Sequence, residues 1–335
     1  MNNAIIKPND TILVTGGNGF LGGYVIKELT KHGFNSIIYG GREWVPPKHM
    51  NLSSIQVDLR YRGDAIALIS DYKPKTIIHL AGKVGGIGAN QDAPGEFFYD
   101  NLQMGLNVVD VARTCGIQRV VILGSVCEYP LHTPVPFAEE HIWFGYPEET
   151  NAPYGVAKRA LMEMVKCYNK QYGMQNIVLI PTNIYGPYEN FNERNSHVIP
   201  ALIRKFYNAM VNNLDEVVLW GSGNVSREFL YAEDCAEAIV KAMRFCTYDG
   251  PINLGTGKEI TIVRLANIIA DLMNYKGKIV FDTSYPDGQP RRCLKVDKAL
   301  EHFGWRATTH FTTGLVDTIL WYEEQVQNGT INNYI

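Results

Sequence analysis

The sequence lacks a C-x-x-C pair: its six cysteines, Cys115, Cys127, Cys167, Cys235, Cys246 and Cys293, lie scattered along the chain. A chain of 335 residues needs no disulfide framework, so they read as reduced thiols in a cytoplasm, and no metal site is expected. No apolar run approaches the ~20 residues needed to span a bilayer. The opening Met-Asn-Asn-Ala-Ile-Ile-Lys-Pro-Asn-Asp runs straight into a strand-like segment, leaving no room for the charged region, apolar core and cleavage site of a secretory leader. Neither sign of charge dominates: 31 Lys and Arg against 34 Asp and Glu give −3, so there is no basic field to attract nucleic acid or anionic lipid. Internal repeats and low-complexity stretches are absent too. What remains, 46% apolar and 19% charged, is a globular composition, and its length suits a closely joined pair of domains.

From Thr11 onward, short β-branched runs alternate with longer helical stretches, the pattern of a parallel sheet covered on both faces. Strands are expected at Thr11–Thr15, Ser36–Tyr39, Ile55–Val57, Thr76–Leu80, Arg119–Leu123 and Asn176–Ile180. Helices are expected at Leu21–His32, Asp64–Asp71, Asn101–Cys115 and Gly155–Tyr172. This predicts a doubly wound α/β sheet of Rossmann type. After Pro187 the alternation weakens, and a helix near Ile262–Met273 belongs to a smaller C-terminal cap. The expected division is residues 1–187, with 226–256 returning to them, as the dinucleotide-binding domain, and 188–225 with 257–335 as the substrate-binding cap.

Gly16, Gly19 and Gly22 stand at Gly-x-x-Gly-x-x-Gly spacing between the first strand and the first helix. Such glycines make a tight turn, let the backbone approach a pyrophosphate and pack helix on strand, while the helix N-terminus supplies amide donors. The second strand ends Tyr39-Gly40-Gly41-Arg42. No acid stands there for the ribose hydroxyls of NAD, and Arg42 suits the phosphate of NADP, the alternative being a solvated surface arginine. Asp58, after the third strand, is a candidate for the adenine edge.

Tyr154 and Lys158 are four residues apart, one helical turn, so they share a face. A phenol with pKa near ~10 is a poor acid or base at neutral pH, and a neighbouring ammonium is expected to lower it. Ser125 at the end of a strand completes the group. By itself Tyr-x-x-x-Lys is common on helix surfaces; the glycine triplet and Ser125 set this one apart.

Together these residues resemble the extended short-chain dehydrogenase/reductase superfamily. Further segments are similar to the GDP-L-fucose synthase family: Lys83-Val84-Gly85-Gly86-Ile87, Ser125-Val126-Cys127-Glu128-Tyr129-Pro130, Pro181 through Pro187 with Asn190-Phe191, Ser196-His197-Val198-Ile199-Pro200, Val218 through Gly223, and Pro286-Asp287-Gly288. The resemblance covers nearly the whole chain. It implies NADPH-dependent reduction at C4 of a GDP-linked 4-keto-6-deoxy sugar after epimerisation at C3 and C5, with Cys127 and His197 as the epimerisation pair. Protons alpha to a ketone are acidic enough for such groups, and inversion needs one to remove a proton and another to return it. Taken alone, Cys127 also fits a core position and His197 a helix cap.

The same resemblance implies a cofactor set extending to Phe20, Leu21, Leu59, Leu80, Ala81, Pro181, Asn183, Lys158 and His197. For the sugar nucleotide it implies Lys83, Val84, Asn183, Val198, Arg204, Trp220, Arg227, Arg291 and Arg292. Guanidinium forks suit phosphate oxygens, and Trp220 either borders a base or fills the cap interior. A homodimer built on the helices at Asn101–Cys115 and Gly155–Tyr172 is implied as well.

The departures from the family pattern, Val126 and Glu128 around Cys127, Gly82 before Lys83 and Tyr285 before Pro286, leave the sugar open to a related GDP-linked 6-deoxy-heptose or dideoxy hexose. More distant alternatives are a sugar-nucleotide 4-epimerase or dehydratase that retains NAD, and a non-catalytic NADP-sensing protein. Arg42 and the Cys127–His197 pair weigh against the first, and the intact Ser125, Tyr154 and Lys158 against the second.

Overall fold

The computed structural model describes residues 4–42, 52–193, 195–285 and 287–331; Pro286 of the Pro286-Asp287-Gly288 segment lies outside them. The apolar run Ile12–Thr15 forms β1, and the glycine turn after it leads into α1 (Phe20–Lys31). There follow β2 (Ile37–Gly41), β3 (Leu52–Gln56), α2 (Arg62–Tyr72), β4 (Thr76–His79), α3 (Ile87–Asp92), α4 (Pro94–Thr114) and β5 (Val120–Leu123). Next come α5 (Ala152–Tyr172), β6 (Ile177–Pro181), β7 (Asn183–Tyr185), α6 (Val198–Val211), β8 (Glu216–Trp220), β9 (Ser226–Tyr231) and α7 (Ala232–Phe245). The chain ends with β10 (Pro251–Leu254), β11 (Glu259–Thr261), α8 (Ile262–Leu272), β12 (Lys278–Asp282), α9 (Asp297–Phe303) and α10 (Phe311–Gln327).

Among the described residues, seven strands form a parallel sheet in the order β10-β6-β5-β4-β1-β2-β3. Both faces are buried, so alternate residues of one strand enter different cores. Ile12 and Val14 join Leu29, Ile239 and Trp305 on one side; Leu13 joins Val108, Val111 and Met162 on the other. The strand order reverses between β1 and β4, which leaves a crevice beyond their carboxyl ends. A third core, around Phe206, Leu265 and Tyr322, belongs to the C-terminal region, where β11-β9-β7 and β12-β8 form two small sheets.

Several boundaries differ from expectation for identifiable reasons. The helix expected at Asn101–Cys115 begins at Pro94, and the one expected at Gly155 begins at Ala152 with Pro153 in its first turn. Proline fits there because first-turn amides have no intrahelical partner. β2 continues through Gly40 and Gly41, whose partners are Ile55 and Gln56 of β3. β10, absent from the expected strands, is a four-residue edge strand opening on a proline and pairing with β6, a position a proline tolerates.

Candidate active site

The carboxyl ends of the central strands open onto a cavity of about 1380 Å³, roofed by α6, β8 and β9. At one end lies the glycine turn. Gly16 has φ +70, and a Cβ there would stand 2.6 Å from the amide nitrogen of Ala81; one on Gly22 would stand 2.3 Å from the carbonyl of Gly16. Only hydrogen fits at either position, so turn, helix and β4 close up together. The N-cap of α1, Gly19, carries no side-chain cap, which leaves the first-turn amides available to an anion. Gly16, Gly19, Phe20, Leu21, Gly22, Arg42, Leu59, Leu80, Ala81, Lys158, Pro181, Asn183 and His197 all line the cavity. Its shape and donors at this end therefore fit a dinucleotide.

Asp58 is placed otherwise. Its carboxylate is clamped by Arg60, with Nη2 at 2.6 Å and Nε at 3.0 Å, and it borders a smaller recess shared with Arg42. The side-chain hydrogen bonds from Arg60 hold its pKa below the ordinary carboxylate value, and Arg60 rather than Asp58 lines the main cavity.

In the middle of the cleft, β5 ends at Gly124 and Ser125 caps the short turn Val126–Glu128, its Oγ accepting from the amide of Cys127 at 3.2 Å. α5 meets this turn at Gly155, where a Cβ would lie 2.3 Å from the Cys127 carbonyl. That close approach brings Tyr154 near Ser125, whose hydroxyl lowers the phenol's pKa in part. Lys158 lies one turn on, 5.6 Å from the centre of the Tyr154 ring, and donates to the Leu123 carbonyl at 2.9 Å. Burial pushes Lys158 down to about 8, opposed by the Glu128 carboxylate. The expected lowering of the Tyr154 phenol is not found. Burial drives it up, Cys127 and Glu128 add to the rise, and the Ser125 hydroxyl only partly opposes it. The ammonium is turned toward the Leu123 carbonyl and is not among the groups that act on the phenol.

Cys127 and His197 both line the cavity. The guanidinium of Arg292 stands 3.8 Å from the Cys127 sulfur through Nη1, and its Nε donates to Gln289 at 2.8 Å. His197 is the N-cap residue of α6. Its Nδ1 is 2.6 Å from Oε1 of Glu189, a residue the sequence reading passed over. The signal was present as an acid eight positions ahead of the histidine, but only the fold brings the loop after β7 back to the start of α6.

Toward the cap, Lys83, Val84, Asn183, Val198, Trp220, Arg227 and Arg292 line the cleft. Lys83 is paired with Glu96, and Asn183 donates to the Glu228 carbonyl at 2.8 Å. Trp220 is no interior residue: it is 61% exposed, stacked on Tyr285 with ring centres 4.3 Å apart. Burial, with Arg292 nearby, brings Arg227 down to about 10, so it stays charged at neutral pH. Two expected arginines turn away. Arg204 donates to the Phe191 carbonyl at 3.1 Å, and its neighbour Lys205 lines the cavity in its place, 5.4 Å from the Trp220 ring centre. Arg291 is exposed and ion-paired with Glu259 outside the cavity. Adjacent positions on a helix point about 100° apart, and packing of Ile203 and Phe206 in the cap core fixes which one faces in. Glu128, a departure from the family pattern, points into the protein interior: its Oε1 accepts from the Ser125 amide at 2.7 Å, and it does not line the cavity.

A glycine cradle at the switch point of a parallel sheet, with Ser, Tyr and Lys at the next strand end, defines a nucleotide-cofactor epimerase or reductase. The model of the NAD dependent epimerase/dehydratase family matches residues 12–255, and the chain belongs to that family. Among its relatives is a GDP-L-fucose synthase of Sinorhizobium fredii, 38% identical over 317 residues, covering 95% of this chain and 96% of the relative. A solved structure of a GDP-L-fucose synthetase from Naegleria fowleri bound to NADP matches with a TM-score of 0.81 at 29% identity, over 98% of both chains. A GDP-6-OMe-4-keto-L-xylo-heptose reductase from C. jejuni matches with a TM-score of 0.85 at 26% identity, covering 96% of this chain and 99% of that one.

Proposed function

We propose that the chain is an NADPH-dependent 3,5-epimerase and 4-reductase of GDP-4-keto-6-deoxy-D-mannose, forming GDP-L-fucose. The observation that carries this reading is that a thiol, an imidazole, the Ser125–Tyr154–Lys158 group and a dinucleotide cradle all open on one cavity. A plain reductase has no need of Cys127 and His197 there.

The turn from Gly16 to Gly22 would hold the pyrophosphate of NADPH, Arg42 its ribose phosphate and Lys158 its nicotinamide ribose. When bound, NADPH supplies the hydride for C4. Cys127 and His197 remove and return protons at C3 and C5, where the ketone stabilises the carbanion as an enolate. Tyr154 gives its proton to the oxygen that develops negative charge at C4, and Ser125 donates a hydrogen bond to the same oxygen. Arg227 and Lys205 face the diphosphate end, with Trp220 beside the base. Arg292 belongs with Cys127, its Nη1 3.8 Å from the sulfur. Residues 1–187 with 226–256 carry the cofactor and 188–225 with 257–335 the sugar nucleotide, except that Leu294 and α9 with Trp305 pack into the cores of the sheet and not into the cap.

The assembly is a homodimer through α4 and α5. In support, these helices leave Phe98, Tyr99, Leu106 and Tyr172 exposed. Unpaired cysteines and a nucleotide-linked substrate suit the cytoplasm.

A second reading, a GDP-4-keto-heptose reductase, is favoured by the match to the C. jejuni enzyme and by Val126 and Gly82 in the cavity wall. NADPH oxidation measured over a panel of GDP-4-keto hexoses and heptoses separates the two. The proposal expects kcat/KM highest for the 6-deoxy hexose; a preference for the heptose would replace it with the second reading.

A further inference from the structure

The side chain of Glu189 is 3% exposed, its Oε1 lies 2.6 Å from His197 Nδ1, and its Oε2 has no other partner among the described residues. A buried carboxylate that spends one oxygen on an imidazole and nothing on the backbone is a costly arrangement unless the contact has a use. The loop is built to hold it. Tyr188, at φ 69, packs 5.0 Å from Trp321, and Phe191 stacks 4.5 Å from Tyr322, so both flanks of Glu189 are pinned to α10.

The position of His197 makes that contact consequential. As N-cap of the fourteen-residue α6, its ring stands at the positive end of a helix dipole, which disfavours an imidazolium. The ring is half-exposed, and what desolvation it has along the cavity wall disfavours the charge too, yet its pKa lies above the ordinary value because Glu189 both hydrogen bonds to it and carries opposite charge. The cavity lining carries other charged groups, the cations Lys205 from α6, Arg227 from β9 and Lys158 from α5 and the anions Glu193, ion-paired with Arg204, and Asp287; none of them is among the groups that act on the ring. Glu189 is the anion that acts on it.

We propose that Glu189 is a positioning residue for His197: it takes the Nδ1 proton as a hydrogen bond, so that Nε2 faces the sugar, and it keeps the ring protonated for delivery to carbon. The inference rests on the epimerase reading above. In one inversion a C–H bond breaks, its proton passing to the Cys127 thiolate and its electron pair to the ketone oxygen as an enolate. Nε2–H then breaks as the carbon regains a proton on the opposite face. Cys127 is left as thiol and His197 as neutral imidazole with Nδ1–H still on Glu189. Proton exchange with water resets both groups.

The test is Glu189→Gln, which keeps an acceptor of the same shape and removes the charge, compared with Glu189→Asp, which keeps the charge. Deuterium incorporation at C3 and C5 of GDP-4-keto-6-deoxy-D-mannose is followed by NMR across pH, alongside NADPH affinity and Tm. Exchange by Glu189→Gln is expected to fall about 10- to 100-fold at neutral pH, the usual cost of losing a residue that orients another. Its alkaline limb should move to lower pH, since the ring now loses its proton earlier. Glu189→Asp should recover part of both effects, with NADPH affinity and Tm near wild type. Unchanged exchange and an unchanged pH profile in Glu189→Gln would overturn the inference, as would loss of NADPH binding in parallel with exchange. Absence of exchange in the wild type would instead sink the epimerase reading itself.

Discussion

Tyr154 enters the cleft protonated. Burial and the neighbouring Cys127 and Glu128 hold its phenol above the ordinary range, the state a proton donor to a C4 alkoxide requires. The sequence placed Tyr154 and Lys158 side by side, as the structure does, but gave the shift the wrong sign, because spacing shows that Lys158 shares a face with Tyr154 and not where its ammonium points. Replacing Tyr154 by Phe should lower the rate of NADPH oxidation by about 10²- to 10⁴-fold, the range of general-acid contributions, while deuterium still enters C3 and C5; full turnover would remove Tyr154 from the mechanism. At Glu128 burial raises the carboxyl from 4.5 to about 7, with Lys158 and Arg159 opposing. The folded state thus binds this proton more tightly than the unfolded chain. The associated stability is present below pH 4.5 and is lost as pH rises through about 7,. Glu128→Gln carries no such loss, so its stability relative to wild type should climb from pH 5 to pH 8 in urea titrations. A pH-independent difference would contradict the assignment.

At the scale of elements, what was legible followed from strict local geometry. The glycine spacing located the cradle because β1, the turn and α1 admit nothing else at Gly16, and the four-residue spacing located Tyr154 and Lys158 because α5 is a regular helix. The substitution Gly16→Ala forces a side chain into a left-handed backbone and onto Ala81; it should cost about 1–3 kcal/mol and weaken NADPH binding, as thermal unfolding with and without cofactor will register. Wild-type Tm and affinity would show that the turn adapts. What was not legible depended on which elements meet. Arg204 and Lys205 read alike until Ile203 and Phe206 turn α6, and Glu189 has no meaning until the loop after β7 folds against α10. The early starts of α4 and α5 were hidden by Pro94 and Pro153, which the first turn of a helix tolerates.

For the whole molecule, the cavity is bounded by two bodies with separate cores, the sheet with its flanking helices and the cap built on α6, α8 and α10. A ligand touching both ties them together. NADPH at 100 times its Kd should therefore add about 2.7 kcal/mol of stability by mass action, read as a rise in Tm; NADH at the same concentration should add less, since it offers Arg42 no phosphate. Equal shifts would leave Arg42 a surface residue.

The central claim is that one cavity performs both proton exchange and reduction. Reaction of the wild-type protein with NADPH and GDP-4-keto-6-deoxy-D-mannose in deuterated water, with the product identified by NMR, tests it directly. The account predicts NADPH oxidation, deuterium at C3 and C5, and GDP-L-fucose. Reduction with protium retained at both carbons would contradict it, leaving a simple 4-reductase in which Cys127 and His197 only line the cleft.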